Sequence, residues 1–207
     1  MSSEGPHLRE RLRHLLAYRR LAVFEGPTRG EASQPPANAR LVPLGPEVLM
    51  HPWFADRRER YLARLEEARH RGFVWLVDKE PVACLWTTCG QSSTVEAPFV
   101  LGLRLTVEPG RCYVWDCHTA PSWRGRGFYR EGILAVGAIG GADGAHTVRM
   151  LAEPANRASV RGIEAAGLRL VGTAGVWKVG PLRVVRFGSV LFWRSRRGLV
   201  QFPSAPK

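Results

Sequence analysis

The chain has 207 residues, 45% hydrophobic and 23% charged, which suits one globular domain that buries its own core without staples. Its net charge of +12 is carried almost wholly by arginine, since lysine occurs only at Lys79, Lys178 and Lys207. Such a surface favours anionic ligands: nucleotides, phosphorylated sugars or nucleic acid. An arginine-heavy composition also follows from genome base composition, so charge alone assigns no nucleic-acid partner.

At the N-terminus, Leu12, Leu15 and Leu16 are interleaved with Arg11, Arg13, His14, Arg19 and Arg20, which leaves no apolar signal region. No stretch approaches the roughly 18 apolar residues of a membrane span, so a soluble cytoplasmic protein is expected. Residues 7–19, apolar at 8, 12, 15 and 16, predict a basic amphipathic helix packed on the domain edge. Leu21 to Phe24 predicts a short strand, Gly26 to Asn38 a Gly/Pro/Ser/Thr-rich loop, and Leu41 to Leu44 another short strand. Asp56 to Arg71 predicts a helix, with Tyr61, Leu62, Leu65 and Ala68 on one side and Gly72 in the C′ place. Phe73 to Val77 and Val82 to Thr88 predict a hairpin around Asp78-Lys79-Glu80-Pro81, followed by a polar loop over 90–97. Phe99 to Val107 and Arg111 to Thr119 predict a second hairpin around Glu108-Pro109-Gly110.

Beyond residue 139 the pattern predicts a glycine-rich connection (Gly140 to Gly144), a strand (Val148 to Ala152), a helix (Asn156 to Ala166, closed by Gly167), a strand beginning at Leu168 to Val171, and a last strand from Arg183 to Trp193. Hairpins followed by strand–helix–strand–helix–strand predict an α+β fold with a mixed, mostly antiparallel central sheet flanked by helices. One domain is expected over 1–207, with an N-terminal extension over about 1–40 and a short flexible tail over about 194–207. The four cysteines, Cys84, Cys89, Cys112 and Cys117, fall in two pairs five residues apart. On strands that step places the two side chains on opposite faces, which is poor for chelation. No metal is expected, and free core or site thiols in a reducing compartment are.

The densest chemistry lies in Trp115 to Tyr129. The run Tyr113-Val114-Trp115 predicts a strand, Pro121 and Ser122 end it, and Arg124-Gly125-Arg126-Gly127 is a basic glycine turn. Phe128, Ile133, Leu134, Val136 and Ile139 then recur at helical spacing. Unpaired N–H groups at a helix start, with glycines that admit close approach, make an anion site. The Walker pattern is absent, and Arg130 stands where a Rossmann fingerprint needs its third glycine. What fits is R-x-x-G-x-[G/A] after a strand, met by Arg124 to Phe128, and about thirty residues later Asn156-Arg157-Ala158-Ser159 with Gly167 eleven residues past Asn156. With these two signatures the sequence resembles the GNAT acyltransferase superfamily, over about residues 72–177.

The resemblance implies acetyl-CoA or another acyl-CoA as co-substrate, an amine-bearing acceptor and no metal. It implies that Arg124, Gly125, Arg126, Gly127, Phe128, Tyr129 and Arg130 cradle the pyrophosphate, mainly through backbone amides. It further implies that the strand splays at its end, so that Cys117, His118 and Thr119 hydrogen-bond the pantetheine arm, with Asn156 and Ser159 contacting it from the next strand end. Asn156 is equally a helix N-cap, and Gly125 and Gly127 are equally turn glycines. Two departures stand out. Tyr129 replaces a small residue, and Ile163 occupies the place where many members carry a tyrosine as general acid. Candidate bases near the strand end are Asp116, His118 and Tyr113, and a bulge there would re-aim them. Trp86, Trp115 and Trp177 are available to stack on an acceptor, though core packing is the commoner role. The expected function is N-acyl transfer by direct attack. A non-catalytic acyl-CoA-binding sensor, motivated by Ile163, and a basic RNA-binding protein are the alternatives.

Overall fold

A strand covered on both faces needs a continuous apolar run, and Leu21-Ala22-Val23-Phe24 supplies one. In the computed structural model, which describes residues 16–28, 38–90, 94–188, 190–194 and 198–201, this run is the buried middle of strand β1 (Leu16–Pro27). Strand β2 (Ala39–Pro43) leads through helix α1 (Pro46–Leu49) to helix α2 (Arg58–Leu65). Strands β3 (His70–Val77) and β4 (Glu80–Gly90) follow, then β5 (Val95–Pro98), β6 (Arg104–Val107) and β7 (Arg111–Thr119). Helix α3 (Phe128–Ala142), β8 (Thr147–Ala152), helix α4 (Arg157–Ala165) and β9 (Arg169–Val179) come next. The described chain ends with β10 (Leu182–Phe187), β11 (Val190–Arg194) and β12 (Leu199–Val200).

Nine of these strands form one sheet in the order β11-β10-β9-β1-β8-β7-β4-β3-β2, and β12-β6-β5 form a second. Neighbours in the large sheet are antiparallel except β7 and β8, which run parallel. The mixed, mostly antiparallel α+β architecture expected from the sequence is the one present. On one face Ile133 and Val136 of α3 and Ile163 of α4 pack over Phe24, Phe73, Leu85, Val114 and Met150. On the other, Tyr61 of α2 joins Phe54, Trp86, Trp115, Leu105 and Val185.

Several predicted elements differ, and long-range pairing is the usual reason. Of the predicted helix over 7–19, residues 7–15 lie outside the described residues, and 16–19 belong to β1, in register with Val179 to Val176 of β9. Thus part of the expected extension is a central strand of the sheet. The predicted helix 56–71 stops at Leu65. Its end folds through Glu67 N–H to Arg64 and His70 N–H to Glu67. Gly72 lies within β3, where a β-carbon would come within 2.9 Å of Leu44, so it serves a close approach and not a helix stop. Part of the expected loop 90–97 is β5, and residues 91–93 lie outside the described set.

The second predicted hairpin is not formed. Strand β6 pairs with β5 and β12 in the small sheet, while β7 enters the large one between β4 and β8. Gly140 and Gly141 belong to the last turn of α3, not to a connection. The predicted strand 183–193 is two strands that turn at Gly188. Within the expected flexible tail, Leu199 and Val200 pair in parallel with Arg104 and Leu105. Cys89 and Cys112, opposite each other on β4 and β7, are joined as a disulfide where free thiols were expected, and Cys84 and Cys117 are free.

Candidate functional site

The site begins where a ladder ends. Strand β7 pairs with β8 over Arg111↔Thr147 to Val114↔Met150, four residue pairs. Strand β7 then continues to Thr119, while Leu151 and Ala152 of β8 pair with β1. The divergence coincides with a bulge. Between Trp86↔Trp115 and Cys84↔His118, two residues of β7, Asp116 and Cys117, oppose the single Leu85, and Asp116 adopts φ 47°. An extra residue bends its strand and increases the local twist.

The divergence opens a cleft of about 640 Å³ between the end of β7 and the N-termini of α3 and α4. Gly125 (φ 76°) and Gly127 (φ 86°) line it in the left-handed region, which favours glycine, and a β-carbon on either would meet no atom within 4 Å. Gly127 is the N-cap of α3 and makes no side-chain cap. The first helical bond runs from Glu131 N–H to the Gly127 carbonyl (3.0 Å). Helix geometry therefore leaves the N–H groups of Phe128, Tyr129 and Arg130 without intrahelical acceptors. Helix α4 begins differently. Asn156 Oδ1 accepts from Ser159 N–H (3.1 Å), so its start is capped by its own side chain.

Of the twelve residues expected to hold the co-substrate, eleven line this one cleft: Cys117, His118, Thr119, Arg124, Gly125, Gly127, Phe128, Tyr129, Arg130, Asn156 and Ser159. Arg126 is the exception. Its guanidinium lies over the Trp123 ring, 4.6 Å from the centroid, and is not part of the lining. The arginines that do line it are partly engaged. Arg124 Nε donates to the Thr119 carbonyl (3.3 Å), and Arg130 Nε to the Ala165 carbonyl (2.9 Å) with an ion pair to Glu131. Sequence reasoning missed Trp123, Ala158, Arg161 and Gly162. A helical step from Ala158 to Arg161 and Gly162 was the available signal.

Tyr129 bridges the two helices. Its hydroxyl meets Ser159 Oγ at 2.9 Å, and its ring lies so close to Gly162 that a β-carbon there would come within 2.4 Å of Cδ1. The ring is held at both ends, so Gly162→Ala is expected to cost ~1–3 kcal/mol in urea unfolding, and Gly162→Ala/Tyr129→Ala to cost less than the sum of the two single changes.

The candidate bases separate clearly. Tyr113 is buried in the cluster on the α2 side and does not line the cleft, and burial raises its hydroxyl's pKa. Asp116 is ion-paired to Arg64 and accepts from His118 Nε2 (2.8 Å). Burial opposes its ionisation, but the hydrogen bonds from His118 and Arg64 and the Arg64 charge outweigh that and hold the carboxyl well below its ordinary value. His118 lines the cleft. Burial keeps the Cys117 thiol protonated, well above its usual value. Ile163 is fully buried in the core under α4, outside the cleft. Glu153 pairs with Arg19 at 3.2 Å. Trp86 and Trp115 are core residues, and Trp177 stacks on Tyr18 with ring centroids 4.9 Å apart. Among the described residues no group of three His, Cys, Asp or Glu could hold a metal ion, and no helix is long and apolar enough to cross a membrane.

The arrangement offers helix-start amides without intrahelical acceptors for a polyanion, a strand end left unpaired by β8 for an extended amide chain, and an imidazole joined to a carboxylate. No curated protein sequence is significantly similar to the chain. Among solved structures, a Drosophila protein superimposes with a TM-score of 0.56 at 13% identity, over 85% of this chain and 58% of that one. A conserved protein of unknown function from Staphylococcus epidermidis gives 0.53 at 11%, over 86% and 69%. A GCN5-related N-acetyltransferase from Kribbella flavida gives 0.48 at 16%, over 83% and 63%. At these identities the first two likenesses are of fold. The sequence model of the acetyltransferase (GNAT) family matches residues 39–168, most of the chain and both glycine-turn and asparagine signatures, so the protein belongs to the GNAT acetyltransferase family.

Proposed function

We propose that the protein transfers an acyl group, acetyl in the simplest case, from acyl-CoA to an amine by direct attack. The observation that carries the reading is the coincidence of two features: the β7–β8 ladder stops at Val114, and the gap opens onto the uncapped start of α3. A thioester with a long amide-bearing arm and a pyrophosphate needs both, side by side in one cleft. Acyl-CoA supplies an activated acyl carbon and a thiolate leaving group.

The chain's residues do the rest. The N–H groups of Phe128, Tyr129 and Arg130 bind the pyrophosphate, and the end of β7 over Cys117 to Thr119, left unpaired by β8, aligns the arm. A backbone amide near Thr119 stabilises the charge that develops on the thioester oxygen. His118 takes the proton released as the amine nitrogen bonds to the acyl carbon and the C–S bond breaks. Asp116 orients His118. With Ile163 buried, the leaving thiolate takes its proton from water or from His118.

The Asp116–His118 contact supports turnover over a purely sensing role, because binding alone needs no oriented base. The experiment is a thiol-release assay with acetyl-CoA across amines, amino sugars and peptides. Release that depends on the acceptor supports the proposal. Binding of acetyl-CoA with no release on any acceptor would leave a sensor.

A further inference from the structure

Behind the bulge in β7, on the face away from α3, one arginine is enclosed by three aromatic rings. The Arg64 guanidinium lies 4.5 Å from the Trp115 ring centroid, 5.1 Å from Tyr61 and 5.4 Å from Trp86. Tyr61, Trp86 and Trp115 are themselves buried, and Tyr61 and Trp86 meet edge to face at 5.1 Å. A guanidinium in such a cage has little freedom. Its Nη1 donates to Asp116 Oδ2, while Asp116 Oδ1 accepts from His118 Nε2.

We infer that Arg64 is a positioning residue for acyl transfer, fixing through Asp116 the orientation and proton placement of His118. Each carboxylate oxygen has one hydrogen-bond partner, Arg64 on Oδ2 and His118 on Oδ1, so the carboxylate cannot turn without breaking a bond to one of them. An imidazole whose Nε2 faces a fixed carboxylate carries its proton there, which leaves the Nδ1 lone pair to accept the proton of the reaction.

Other charged or titratable groups face this pair. Arg60 of α2, 57% exposed, stands 3.8 Å from Asp116. Asp56, ahead of α2, acts on His118 at longer range but is engaged by Arg57 (2.8 Å). Across β4, Cys84 is in register with His118, and burial pushes its thiol up to about 12. Cys117, next along β7, is also held protonated. Arg64, its side chain 15% exposed, is therefore the more enclosed of the two cations at the carboxylate.

The inference rests on His118 being the base, and its test reads the imidazole directly, with no acceptor. In the full chain, the His118 ring resonances are assigned as those missing from His118→Gln, and the tautomer of the neutral ring is read from its two nitrogen shifts. Arg64→Met and Asp116→Asn are each expected to replace a single Nε2–H tautomer with a mixture. An unchanged single tautomer in folded Arg64→Met overturns the inference. If that variant does not fold by near-ultraviolet dichroism, Asp116→Asn decides, and an unchanged tautomer there overturns it. Should both variants mix the tautomers while no acceptor supports thiol release, the acyl-transfer reading fails and the Arg64 network stands.

Discussion

Gly127→Glu is expected to leave the protein folded and to remove its thermal shift with acetyl-CoA. Gly127 holds φ 86° at the start of α3, and its missing β-carbon faces open space. A side chain there costs ~1–2 kcal/mol for the left-handed backbone, which the domain survives. Binding is not expected to survive. In the proposed cradle the new carboxylate would occupy the space the pyrophosphate needs and set negative charge against negative charge, where like-charge contact costs several kcal/mol. Affinity should fall by on the order of 100-fold or more, ~3 kcal/mol. Gly127→Ala separates the effects, since it keeps the strain and lacks the charge. It should lose binding by no more than about tenfold. If the glutamate variant still shows the full shift with acetyl-CoA, the cradle lies elsewhere.

His118→Gln is expected to cut kcat by ~10²–10⁴-fold while acetyl-CoA affinity, measured by calorimetry, stays within about threefold. Glutamine keeps a hydrogen-bonding group beside Asp116 but cannot take a proton. Asp116→Asn should lose part of the same factor, because the asparagine no longer holds the imidazole proton on Nε2. A His118→Gln enzyme with unchanged kcat would remove His118 from the mechanism and leave solvent as the base.

The two helices at the cleft were legible because their ends are written in local chemistry. Asn156 caps α4 with its own side chain, Gly167 closes it at φ 83°, and the glycine turn before α3 needs no distant partner. The strands of the small sheet were not legible. Nothing near Arg104 to Val107 says that it pairs with Val95 to Pro98 and with Leu199–Val200 and not with Arg111 to Thr119, because that choice is made by burial of Leu105 and Val107 against the α2 side. Strand β1 was only half seen, since its exposed end carries Tyr18, Arg19 and Arg20 in a pattern that also suits a helix. Asp116 and His118 could be named as titratable but not ranked, because the bulge decides where each points. Arg64 carried no signal at all. Its partner lies 52 residues away, and only the approach of α2 to the bulge brings them together.

The parallel pair β7–β8 has a mechanical consequence. Everything from β2 to β7 in the large sheet is joined to everything from β8 to β11 by a seam four residues long. An extended molecule that lay along the unpaired end of β7 and reached Asn156, just past β8, would tie the two half-sheets together beyond that seam, so rigidity gained on binding would extend beyond the atoms it touches.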